Sequence, residues 1–165
     1  MNSKIKFALA FLAFGSLTLG YGRVTYAAPP SDPCSLLTTA QVSTALGITV
    51  GAGKQSGQAD CQWSQPGSGF GGKGILLEIL GPMGNLTAVD RFNTVKNPLP
   101  IRGITKEPVG GIGDDAVYIA YDTTRISLYV KKGSSVFRVQ VTGLKEKEDA
   151  KAKEKALALD VLANL

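Results

Sequence analysis

Residues 116–141 read AVYIAYDTTRISLYVKKGSSVFRVQV, and this stretch decides the fold. Val117, Ile119 and Tyr121 alternate with Ala116, Tyr118 and Ala120. Ile126, Leu128 and Val130 alternate with Arg125, Ser127, Tyr129 and Lys131. Phe137, Val139 and Val141 alternate with Val136, Arg138 and Gln140. A period of two sends each set to its own face of a sheet. Short turns at Asp122-Thr123-Thr124 and Lys132-Gly133-Ser134 join the runs, which predicts a three-strand antiparallel meander. One face is expected to be apolar throughout. The other collects Tyr118, Arg125, Tyr129, Lys131, Arg138 and Gln140.

Upstream, Ile75 to Leu80 is apolar on both faces and reads as a central strand. Cys61-Gln62-Trp63-Ser64 reads as a strand with Cys61 and Trp63 inward, and Ile48 to Val50 as a short one. Three helices flank these runs. Thr38 and Gln41 form a capping box, Val42, Ala45 and Leu46 make a buried face, and Gly47 is the stop. Asn85 is read as the cap of a second helix, with Leu86, Val89, Phe92 and Val95 on one face and Pro98 and Pro100 at its end. The last helix runs from about Glu146 to Asn164. Its first half is charged and solvated, with Asp149 and Lys153 paired at i, i+4. Its second half turns Leu157, Ala158, Val161, Leu162 and Leu165 to the core. The class is α+β: an antiparallel sheet with a C-terminal meander, packed by N-terminal, middle and C-terminal helices.

The beginning of the 165-residue chain reads differently. Lys4 and Lys6 precede an apolar run from Phe7 to Leu19. Thr25-Tyr26-Ala27 then supplies small residues at the −3 and −1 positions of a cleavage site before Ala28. Residues 1–27 are thus expected to be a signal peptide, 28–33 an extended lead-in, and 34–165 a single α+β domain. An uncleaved membrane anchor is the other reading of the apolar run. Cys34 sits in the polar context Ser31-Asp32-Pro33, unlike a lipid-attachment site, so a soluble exported protein is expected. Without Lys4, Lys6 and Arg23, 15 basic residues face 13 acidic ones, a balance of +2 that gives little reason for nucleic-acid binding. Export also sets the redox compartment. Cys34 and Cys61 are the only cysteines, and parity in an oxidising setting predicts a disulfide between them.

Catalytic patterns are sparse. The chain has no histidine, which removes His-based triads, acid–base pairs and His metal ligands. Gly69-Phe70-Gly71-Gly72-Lys73-Gly74 matches G-x-G-x-x-G, but a strand follows it where a phosphate loop needs a helix N-terminus. Asp114-Asp115 follow Gly111-Ile112-Gly113. Adjacent residues entering a strand point apart, so Gly111, Gly113 and Asp114 read as a structural turn. No metal set and no cofactor motif is found, and none is expected.

Cys34-Ser35-Leu36-Leu37-Thr38, Val42, Leu46-Gly47, Cys61-Gln62-Trp63 and Gly111-Ile112-Gly113-Asp114-Asp115-Ala116 form a wider pattern. With the meander and last helix, it resembles a group of small exported bacterial proteins and lipoproteins of unknown function, best known from actinobacteria. The resemblance implies a PsbP-like fold, a scaffold used mostly for docking to protein partners, and it carries over no catalytic residues. The chain departs from many of that group in lacking a lipid-attachment cysteine.

The expectation is an exported, non-catalytic domain that binds a protein or another envelope component. Its candidate face is Tyr118, Arg125, Tyr129, Arg138 and Gln140, because Tyr and Arg dominate binding hot spots. The same face could instead be covered by helices or simply solvated. The alternative function is a hydrolase of envelope polymers acting through carboxylates such as Asp114 or Glu78.

Overall fold

A computed structural model describes residues 32–68, 72–97, 103–122 and 125–165. The signal peptide, most of the lead-in, the centre of the glycine-rich loop, the Pro98 and Pro100 stop and the Thr123-Thr124 turn lie outside the described residues.

Asp32 opens the described chain by accepting a hydrogen bond from the Cys34 N–H, 2.8 Å away, which caps a 3-10 turn, Pro33–Leu36. Helix α1, Thr39–Leu46, follows. Thr38 and Gln41 form the reciprocal capping box, and Gly47 closes the helix at φ +66°, a left-handed conformation that costs glycine little. Helix α2, Ala88–Lys96, begins two residues later than its sequence reading. Thr87, not Asn85, is the cap, because Asp90 completes a capping box with it. Helix α3, Lys147–Ala163, begins after Glu146 and ends before Asn164.

The strands are β1 Lys54–Gln55, β2 Asp60–Ser64, β3 Gly74–Ile79, β4 Thr105–Pro108, β5 Asp115–Ala120, β6 Ile126–Lys132 and β7 Ser135–Thr142. They form one antiparallel sheet in the order β1-β2-β3-β7-β6-β5-β4. Ile48 to Val50 forms no strand, and β1 and β4 lie in segments that the sequence pattern assigns to no strand. The fold is α+β, with an open antiparallel sheet and three α-helices among the described residues.

Both faces of the sheet are covered. Cys61, Trp63, Ile75, Leu77, Phe137, Val139, Leu128, Val130 and Tyr118 share the larger core with Leu36, Val42, Leu157, Ala158 and Val161. A second core on the opposite face joins Phe92 of α2 to Leu80, Val117, Ile119, Tyr129 and Val136. A Cys34–Cys61 disulfide ties the 3-10 turn to β2, with Cα atoms 5.1 Å apart. No helix among the described residues is long and apolar enough to cross a membrane.

Gly111 and Gly113 both have positive φ, +76° and +59°. A Cβ on Gly113 would lie 2.5 Å from the Lys131 carbonyl oxygen, so this turn needs glycine for space as well as for backbone angle. Asp114 then accepts hydrogen bonds from the Gly133 N–H at 2.6 Å and the Lys132 ammonium at 3.2 Å. These bonds hold its carboxyl below the usual carboxylate range and link the turn before β5 to the turn between β6 and β7.

Candidate functional site

The pairing of β2, β3, β7, β6 and β5 lays one row of side chains across the α2 side of the sheet. Asp60 is opposite Glu78, Glu78 opposite Arg138, Arg138 opposite Tyr129, and Tyr129 opposite Val117. Helix α2 covers only part of that row. Beside it, the chain from Gly81 to Thr87 turns outward, and Met83 and Leu86 meet in an isolated bridge. Between this turn, α2 and the sheet lies a groove of about 250 Å³. Its walls combine the apolar side chains of Leu80, Met83, Leu86 and Val95 with Glu78, Arg91, Thr94, Tyr129 and Arg138.

An ion cluster forms its polar end. Arg138 Nη2 is 2.8 Å from Glu78 Oε2, and Arg91 Nη2 is 3.7 Å from Glu78 Oε1. Arg91 also donates through Nη1 to the Gly81 carbonyl at 2.8 Å, which anchors α2 to the turn. The Arg138 guanidinium lies over the Tyr129 ring, 5.9 Å from its centre. The Tyr129 and Tyr121 hydroxyls share a 2.8 Å hydrogen bond. Burial, together with that bond, raises the Tyr121 phenol above its ordinary value. Met83 and Leu86 stay 60% and 41% exposed, so the groove carries an open apolar rim.

The five residues read from sequence as one face do not stay together. Tyr129 and Arg138 line the groove. Gln140 shares their sheet face but lies outside the lining. Arg125 sits exposed before β6, paired with Asp122 at 2.7 Å. Tyr118 is on the other face: it pairs with Leu128, and its hydroxyl donates to the Lys151 carbonyl of α3 at 2.7 Å. The grouping is therefore corrected: Val117 and Ile119, not Tyr118, lie on the face of Tyr129. The α2 face is also not simply polar, because β5 contributes apolar side chains to it.

Arg91, Thr94, Leu80, Met83, Val95 and Leu86 join the site although no sequence pattern marks them, and Leu86 lies in the turn before α2, not on a helix face. The two carboxylates considered for hydrolysis do not meet in the groove. Glu78 lines it, while Asp114 is bonded to Lys132 and Gly133 at the end of the sheet. Among the described residues, no group of three or more His, Cys, Asp or Glu side chains could hold a metal ion.

Burial assigns Tyr129 a structural role. It is 5% exposed and packs in the core under α2. Tyr129→Ala should therefore cost about 3 kcal/mol, as for other large-to-small aromatic substitutions in cores. Tyr129→Phe, which removes the hydroxyl's bonds to Tyr121 and Arg138 but keeps the ring, should cost about 2 kcal/mol. Urea denaturation of the two variants checks both values, and an unchanged midpoint for Tyr129→Ala would mean that α2 does not hold the ring.

Set against known proteins, the chain matches no family model, no curated protein and no solved structure.

Proposed function

We propose that this chain is an exported, non-catalytic binding domain that docks a protein or another cell-envelope component through the groove beside α2. One observation carries the reading: an open apolar rim, Met83 and Leu86, stands directly beside a partly buried arginine cluster. Concave sites that mix apolar walls with a few convergent polar groups are the usual form of a binding site, and arginine is a frequent anchor there. The Cys34–Cys61 bond fits an oxidising compartment, as export requires. The resemblance to small exported bacterial proteins and to a PsbP-like docking scaffold points the same way. The alternative, a carboxylate-based hydrolase, would have to pair Glu78 with Asp60, its cross-strand neighbour, and Asp60 lies outside the groove lining.

Capture from a bacterial envelope fraction tests the docking role. Leu86→Asp should abolish capture by the domain without lowering its melting temperature, because Leu86 is already open to solvent. Equal capture by the variant and the parent protein would remove the groove from the binding site.

A further inference from the structure

We propose that the groove accepts a carboxylate carried on a short aliphatic chain. The carboxylate lies against Arg91 and Arg138, and the chain crosses Leu80, Val95, Met83 and Leu86. This assignment rests on the groove being the binding site and adds the chemistry of the occupant.

Charge is the first argument. Within the groove lining one carboxylate, Glu78, faces two guanidinium groups, so the lining itself carries a surplus positive charge; Asp60, opposite Glu78, lies outside the lining and forms no ion pair with either arginine among the described residues. The three side chains are only 22–25% exposed, which leaves them less screened than an open surface pair. Arg91 is the under-used partner. Its contact with Glu78 is 3.7 Å, longer than a hydrogen bond, and its clear hydrogen bond uses Nη1 alone. A guanidinium offers five N–H donors in a planar fork that suits a carboxylate. A second carboxylate would balance the charge and use those donors.

Shape supplies the rest. A small inorganic anion would satisfy the arginines but leave the Met83 and Leu86 rim uncovered. A neutral hydrocarbon would cover the rim and leave the charge unmatched. At about 250 Å³ the open groove seats a short chain or a single residue of a longer ligand. Two sources present this chemistry: a free aliphatic acid, and the C-terminal residue of a peptide ending in leucine.

The test is a titration of the disulfide-bonded protein, read by backbone amide shifts in NMR. One pair of probes is octanoate and octanol. The other is acetyl-Gly-Gly-Leu with a free C-terminus and the same peptide amidated. In at least one pair, the carboxylate should bind about tenfold tighter than its neutral counterpart, with shifts at Leu80, Leu86, Arg91 and Thr94. The responding pair identifies the source. Arg91→Gln should erase the preference while Arg91→Lys, which keeps the charge, retains part of it. Equal binding of acid and neutral probes overturns the proposal, as do shifts confined to other surfaces or no binding by any probe. If no probe binds while Leu86→Asp still abolishes envelope capture, the ligand chemistry is wrong and the docking role stands. If Leu86→Asp has no effect on capture either, both fall.

Discussion

Reducing the Cys34–Cys61 bond should lower the stability of the fold by about 3.5 kcal/mol, from the loop-closure entropy of a 27-residue separation. For a domain of this size the melting temperature should fall by roughly 10 °C. The bond joins a one-turn 3-10 element to β2, and a helix that short has little stability of its own. Leu36, on that turn, is 1% exposed and belongs to the larger core. Losing the bond thus frees a core residue along with a chain segment. The matching variant is Cys34→Ala with Cys61→Ala, because Cys61 is fully buried and a serine there would bury a hydroxyl. Denaturant midpoints measured with and without reductant decide the matter. Identical midpoints would mean that the 3-10 turn adds nothing to the fold.

Some of this architecture is legible in the residues, and the rest is hidden for physical reasons. Thr38 with Gln41 and then Gly47 delimit α1 because caps are local chemistry. Cys61 and Trp63 point inward because polar residues flank them. Strand β5 offers no such contrast. Ala116 to Ala120 are buried on both sides of the sheet, so alternation alone cannot assign a face, and pairing with β6 decides it. For that reason alternation alone puts Tyr118 on the wrong face. Asn85 and Thr87 are both able caps, and only Thr87 has an acid three residues on. A cap at Asn85 would draw Leu86 into the helix, where it would not form the open rim of the groove. Strand β4 is exposed along its length and ends at Pro108, so it shows neither alternation nor hydrophobicity. The groove itself draws on β3, the turn after it, α2, β6 and β7. A site assembled from separate segments leaves no local motif to find.

Glu154 is the other residue the sequence conceals, since it lies in the charged half of α3 and reads as solvated, yet it is fully buried. Its Oε1 accepts a hydrogen bond from the Val141 N–H at 2.9 Å, and Oε2 is buried with no hydrogen-bond partner among the described residues. Burial pushes the carboxyl up from 4.5 to about 9, against the opposing effect of the Val141 bond. Between those two pH values the folded protein keeps a proton that the unfolded chain has lost. Stability must then fall as pH rises from about 4.5 to about 9, and level off above that. At pH 8 the accumulated loss is on the order of 4 kcal/mol, at about 1.4 kcal/mol per pH unit. Glu154→Gln keeps an acceptor for Val141 and the side-chain shape but cannot titrate. The variant should match the parent protein near pH 4.5 and exceed it by a few kcal/mol at pH 8. Other shifted groups leave this window clear. Asp90 and Asp114 are held below their usual 3.8, so their contribution is lost only in more acidic solution. Tyr118, which faces Glu154, and Lys151 are both shifted upward from 10.0 and 10.5, so they titrate above the window. Denaturation of the two proteins from pH 4.5 to 9 gives a difference curve that isolates Glu154. Parallel curves across that range would show that Glu154 reaches solvent in the folded protein.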